Sequence, residues 1–169
     1  MPTAAYGELS HQASMTSWAG AVQVSRQMGR HWNAYSRLNT ISPGYEVSDL
    51  GFQRRADRID AEVGGSYGET RPGKVLRRYS AYASALMEHN YGWENISNRL
   101  FAGGDLQLLN YWGVYANLNA GLAGTVDDRL TRGGPLARLP AGWLVGANLG
   151  TDPRKRYVVN GGFSHTWDA

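Results

Sequence analysis

The chain has no cysteine at all. That excludes a disulfide framework, a thiolate metal site and a cysteine nucleophile. It suits passage through the periplasm, and many cytosolic proteins share it. Phenylalanine is scarce, at 3 residues among 169. No run of about 18 apolar residues occurs, so a transmembrane helix is excluded. Mean hydropathy is only −0.44. The first residues, Met1-Pro2-Thr3-Ala4-Ala5-Tyr6, have neither the basic start nor the apolar stretch of a signal peptide. An exported form is therefore expected to be a mature piece or a part of a longer protein. Charge of one sign is also lacking. Lys and Arg number 17 against 14 Asp and Glu, a net +3. The basic residues, such as Arg54, Arg55, Arg58, Arg77, Arg78, Arg154, Lys155 and Arg156, fall in expected turns and loops. They read as solvated turns, with no nucleic-acid partner.

Glycine, tyrosine and tryptophan are what the chain has in quantity, at 22, 10 and 6. Aromatic rings suit a pleated surface, and glycine suits turns and crowded sheet walls. The dominant pattern has period two. Trp112, Val114, Ala116 and Leu118 alternate with Tyr111, Gly113, Tyr115 and Asn117. Trp143, Val145, Ala147 and Leu149 alternate with Gly142, Leu144, Gly146 and Asn148. Tyr157, Val159, Gly161, Phe163, His165 and Trp167 alternate with Val158, Asn160, Gly162, Ser164 and Thr166. Weaker alternation covers residues 18–25, 32–39, 59–67, 78–87 and 95–108, and a first strand is expected near Ala4–Ser10. The reading is all-β: an antiparallel meander of about nine strands, most of ~9–12 residues, forming one domain over 1–169. Such strands are long for a globular protein and right for crossing a bilayer at a tilt.

The connections sort by length. Short turns are expected at Gln27–Arg30, Thr70–Lys74, Leu109–Asn110 and Thr151–Lys155, all at one end of the strands. Long loops at Thr40–Ala56 and Ala123–Ala141 fall at the other end, with shorter connections near His11–Met15 and Tyr91–Asn95. Short turns on one side and long loops on the other are the habit of outer-membrane barrels. Low mean hydropathy agrees, because barrel strands alternate apolar and polar residues. Trp112, Trp143, Tyr157 and Trp167 lie at or near strand ends and are expected as membrane-interface aromatics. In a soluble sandwich the same tryptophans would be core.

One long loop reads Ser42-Pro43-Gly44-Tyr45-Glu46-Val47-Ser48-Asp49-Leu50-Gly51-Phe52, followed by Gln53-Arg54-Arg55-Ala56-Asp57. The other carries Asp127-Asp128-Arg129-Leu130-Thr131-Arg132-Gly133-Gly134-Pro135. With Asn110-Tyr111-Trp112 between them, these segments resemble a family of uncharacterised bacterial outer-membrane β-barrels. There the barrel usually follows a domain similar to a family-nine carbohydrate-binding module. The resemblance runs from about Trp32 to Trp167. It implies a bacterial outer-membrane location and an internal piece of a larger barrel. The expected partners are outer-membrane lipid and the remaining strands or a second copy. No catalytic residue follows from it.

Chemistry-bearing motifs are scarce. There is no His-Glu-x-x-His, phosphate loop, nucleophile elbow or dinucleotide fingerprint. His11, His31, His89 and His165 are isolated, and no cofactor or metal is expected. Asp127 and Asp128 read as solvated loop acids or partners of Arg129 and Arg132 ahead of a cation site. Asp57, Asp60 and Glu62 invite a paired-carboxylate reading. Asp60 and Glu62 share one strand face, and lumen pairing with Arg37 or Arg78 is the plainer expectation. Arg129, Arg132, Tyr45 and Trp93 are candidate ligand contacts at the loop end, with Phe52 beside them. The leading expectation is a non-enzymatic outer-membrane barrel segment for passage or loop display. The rival is a soluble β-sandwich or small barrel that binds a ligand such as a glycan, with the Trp112/Val114/Ala116/Leu118 face turned inward. A truncated reading frame without independent function is the third.

Overall fold

The computed structural model describes residues 16–45, 56–127 and 135–168. Ten strands occur and no helix is found among the described residues. They are β1 (Ala19–Met28), β2 (Trp32–Ile41), β3 (Arg58–Glu69), β4 (Leu76–His89), β5 (Asn95–Leu108), β6 (Gly113–Gly121), β7 (Val126–Asp127), β8 (Ala137–Arg138), β9 (Gly142–Gly150) and β10 (Asn160–Asp168). Eight of them form one antiparallel sheet in the order β1-β2-β3-β4-β5-β6-β9-β10. β7 and β8 form a separate two-stranded ladder. Apart from that ladder, strands adjacent in the chain are adjacent in space.

The eight long strands coincide with eight of those expected from alternation. The strand expected at Ala4–Ser10 lies outside the described residues. Most boundaries shift by one to three residues, and two of the shifts take expected interface aromatics out of their strands. Tyr157 is not in a strand, since β10 begins at Asn160. Thr151 and Val159 close the ladder: the Thr151 amide donates to the Val159 carbonyl at 2.9 Å, and the Val159 amide donates back to Thr151 Oγ1 at 2.9 Å. Residues between them therefore have no opposite partner. Trp112 precedes β6 because Tyr111 takes a left-handed backbone, φ 68°. The Trp112 amide then donates to Asn110 Oδ1 and its carbonyl accepts from Leu108. The loop expected over residues 123–141 contains the β7–β8 ladder.

Register sorts side chains onto two faces, because residues directly opposite on neighbouring strands point the same way. One row runs Val22, Leu38, Ala61, Met87. Another runs Leu100, Ala120, Trp143, Trp167. This face is apolar over nearly all eight strands. The opposite face carries Gln23, Arg37 and Glu62 in one row and Ser80, Asp105 and Tyr115 in another.

The apolar face has no cover. Val24 is 67% exposed, Val63 56% and Phe163 63%. Ala120 is the single buried apolar side chain among the described residues. The Trp112/Val114/Ala116/Leu118 face is half-exposed instead of forming a core. Burial concentrates on the other side. Arg58 and Asp60 of β3, Glu88 of β4, Arg99 of β5, Leu144 of β9 and Thr166 of β10 line one cavity of about 740 Å³. Strands as far apart in the sheet as β3 and β10 share that space, so the sheet curls toward its polar face. β1 and β10 are its edges, exposed along their full length.

Candidate functional site

The concave polar wall is the place where chemistry gathers. Its most regular feature is a set of cross-strand pairs with a large polar residue opposite a glycine. Tyr35 faces Gly64, Tyr82 faces Gly103, Asn117 faces Gly146, Asn148 faces Gly162 and Asn160 faces Gly150. In every pair the polar side chain lies over the glycine. A Cβ at Gly64 would sit 2.8 Å from the Tyr35 ring, and one at Gly103 would sit 2.7 Å from Tyr82 Oη. At Gly146 it would meet Asn117 Oδ1 at 2.7 Å, and at Gly162 it would collide with Asn148. The missing Cβ lets the partner lie along the wall instead of standing away from it.

Polar contacts knit the wall together. Arg37 Nε donates to Gln23 at 2.9 Å and its guanidinium lies 3.8 Å from Glu62. The Tyr35 hydroxyl donates to the other Glu62 oxygen at 2.6 Å. Ser80 donates to Asp105 at 2.5 Å, and Arg78 lies 3.9 Å from the same carboxylate. Tyr82 and Tyr115 join their hydroxyls at 3.1 Å. Glu62 thus meets Arg37 as expected. Asp60 is met by Arg58 of its own strand at 3.2 Å, and Arg78 goes to Asp105 instead. Asp57 stands apart from the other two acids. It has φ 56° and accepts the Tyr91 amide at 2.9 Å.

The long-loop end holds the cavity. Thr125, Asp127, Leu139 and Pro140 from the β6–β9 connection line it beside the strands. Tyr91 ties this end together, with its hydroxyl 2.7 Å from Thr40 Oγ1 and its ring edge-on to Trp18 at 6.2 Å. Trp93 protrudes at the β4–β5 tip, 76% exposed, with φ 61°. Tyr45 is half-buried beyond β2. Arg129, Arg132, Phe52, Asp128 and His11 lie outside the described residues. No group of three or more His, Asp or Glu able to hold a metal is found among the described residues.

The short-turn end is organised by Tyr111. Arg77 donates to its hydroxyl at 2.7 Å, and the guanidinium of Arg154 lies 3.2 Å from its ring centroid. Arg154 also makes a two-pronged ion pair with Asp152, at 2.9 and 2.8 Å, and its amide caps the same carboxylate. These hydrogen bonds hold the Asp152 carboxyl at about 2, well below its ordinary value.

Aromatic rings flank the apolar face at both ends. At the short-turn end Trp32, Tyr67 and Tyr79 form a chain with centroids 4.9 and 5.8 Å apart, and His31 stacks on Tyr67. At the long-loop end Trp143 stacks on Trp167, 6.4 Å apart and nearly parallel. Trp112 and Tyr157 belong to the short-turn end and Trp143 and Trp167 to the other, so the four expected interface aromatics divide between two bands. The Trp32/Tyr67/Tyr79 group escaped the sequence reading. Its members are far apart in the chain and meet only through the β2–β3–β4 register.

No family model matches this chain, and no curated protein or solved structure matches it either.

Proposed function

We propose that this chain forms wall strands of a bacterial outer-membrane β-barrel, with its apolar face against lipid and its polar face lining an aqueous interior. The role fits passage of solutes or display of the long loops, without catalysis. The observation that carries this reading is the inversion of burial. Large apolar side chains stand on the open face, and ion pairs and tyrosine networks occupy the concave one. In water that arrangement forfeits about 1.5–3 kcal/mol for each large apolar side chain left exposed. Against acyl chains the same residues are satisfied. Aromatic bands at both ends of the strands support the reading, since such rings favour the headgroup level. So do strands of 9 to 14 residues, long enough to cross a bilayer at a tilt. The two loop segments that resemble bacterial barrels agree with it.

A bilayer leaves no backbone donor or acceptor unpaired, so the β1 and β10 edges must find partners there. On this reading they close on each other, on further strands or on a second copy. The test is refolding of the full chain with and without lipid vesicles or detergent. Lipid-dependent β structure with protease-protected strands supports the proposal. A monodisperse, folded monomer in plain buffer would sink it and favour the soluble ligand-binding module.

A further inference from the structure

Among the described connections, basic residues predominate at one end of the sheet. The short-turn connections carry Arg30, Arg71, Lys74, Arg154, Lys155 and Arg156 against Asp152, with Glu69 at the end of β3 accepting the Arg71 amide and facing His31. At the opposite end the described connections carry Asp57, Glu94 and Asp127 against Arg138. Asp152 is already taken by Arg154. Arg30, Arg71, Lys74, Lys155 and Arg156 are exposed and form no ion pair among the described residues.

These cations sit beside the aromatic band of the apolar face. Arg30 adjoins His31 and Trp32, and Lys74 lies in the turn between Tyr67 and Tyr79. The Arg156 guanidinium lies 5.5 Å from the Tyr157 ring, itself 77% exposed. Arg26 adds a further sign. It stands on the apolar face, opposite Ala34 and two residues from Met28, exposed and without an ion pair among the described residues. A guanidinium in that position is stable in a membrane only if its long stem carries it outward to a phosphate-rich layer.

We propose that the short-turn rim is a basic collar that binds the headgroup phosphates of anionic phospholipids. The inference rests on the barrel reading and adds the lipid class and the end of the molecule that meets it. The collar's charge lies at the height where headgroups flank an aromatic band, which favours lipid over a free anion. Clustered Lys and Arg at a membrane surface gain attraction that salt screens away.

The experiment compares binding and insertion of the full chain into phosphatidylcholine vesicles and into vesicles with about a third phosphatidylglycerol. The wild type should bind the anionic vesicles roughly ten-fold tighter or more, with the preference lost at high salt. The variant Arg30→Gln/Arg71→Gln/Lys74→Gln/Arg156→Gln should insert into neutral vesicles as the wild type does and lose the preference. Equal affinity of the wild type for both lipids overturns the collar and leaves the barrel reading intact. Failure to insert into either vesicle overturns the collar, and a monodisperse folded monomer in plain buffer overturns the barrel reading with it. Tight binding of a single-stranded oligonucleotide without lipid preference assigns the collar to nucleic acid and also overturns the proposal. If the variant fails to fold, the salt titration of the wild type on the two vesicle types decides alone.

Discussion

The two faces of the sheet come from the same eight strands and behave as opposites. The apolar face stands open beyond its aromatic bands, with Val22, Val24, Val63 and Phe163 all more than half exposed. The polar face is cross-linked by ion pairs, hydroxyl contacts and side chains laid over glycines. In a water-soluble sheet the contacts would sit on the apolar side, since that is where burial gains most. Here the polar side is the specific one, and the apolar side is generic. A face that meets lipid needs hydrophobicity and little else, whereas a face lining water must keep its own polar groups in place.

The sharpest way to break this comparison is to put charge on the generic face. Val63→Arg should cost about 2–4 kcal/mol when the chain is refolded in lipid, read from urea unfolding. Ser25→Arg, on the polar face of β1, should change stability by less than about 0.5 kcal/mol. Equal costs at the two sites would erase the distinction. A smaller effect tests the glycine pairs. Gly103→Val must displace Tyr82 and crowd the Ala116 carbonyl, 2.8 Å from the new Cβ. Its expected cost is about 1–3 kcal/mol, and Gly161→Val on the apolar face, where a Cβ meets nothing within 4 Å, should be nearly neutral.

Removing the Arg37–Glu62 charge by Glu62→Gln should cost at most about 1 kcal/mol, because Arg37 is 43% exposed and well screened. A double-mutant cycle with Arg37→Gln measures the coupling. The smallest expected effect is pH-dependent. The carboxyl of Asp152 is depressed, so its pair with Arg154 stabilises the β9–β10 turn fully above about pH 4. That contribution fades as pH falls toward about 2. Asp152→Asn should abolish this part of the acid sensitivity, visible in amide exchange of the turn.

Much of the fold is legible in the sequence. Alternation located eight strands, because a sheet with two unlike faces writes its period directly into the chain. Which end each connection occupies was legible for the same reason, since strand direction alternates in a meander, although the β9–β10 connection runs over 151–159 and outgrows the expected short turn. The errors lie where alternation continues past its partner. Val158 and Val159 extend the pattern of β10, yet no opposite residue remains for Tyr157. Asp60 was matched to cations of neighbouring strands, while the nearest one, Arg58, sat two residues away on the same face. The glycine pairs were invisible because a glycine acquires its partner only when register is set. The same holds for Tyr91 and Tyr111, which look like ordinary loop aromatics until connections far apart in sequence converge on them.

By itself the sequence determined the all-β class, the strand positions and the two unlike faces, for these depend on local alternation and on turn residues. The tertiary structure alone decided which face is concave and which glycines lie beneath which side chains. It also decided that basic residues scattered through separate turns share one rim. Those outcomes depend on curvature and register across strands, which no local run of residues encodes.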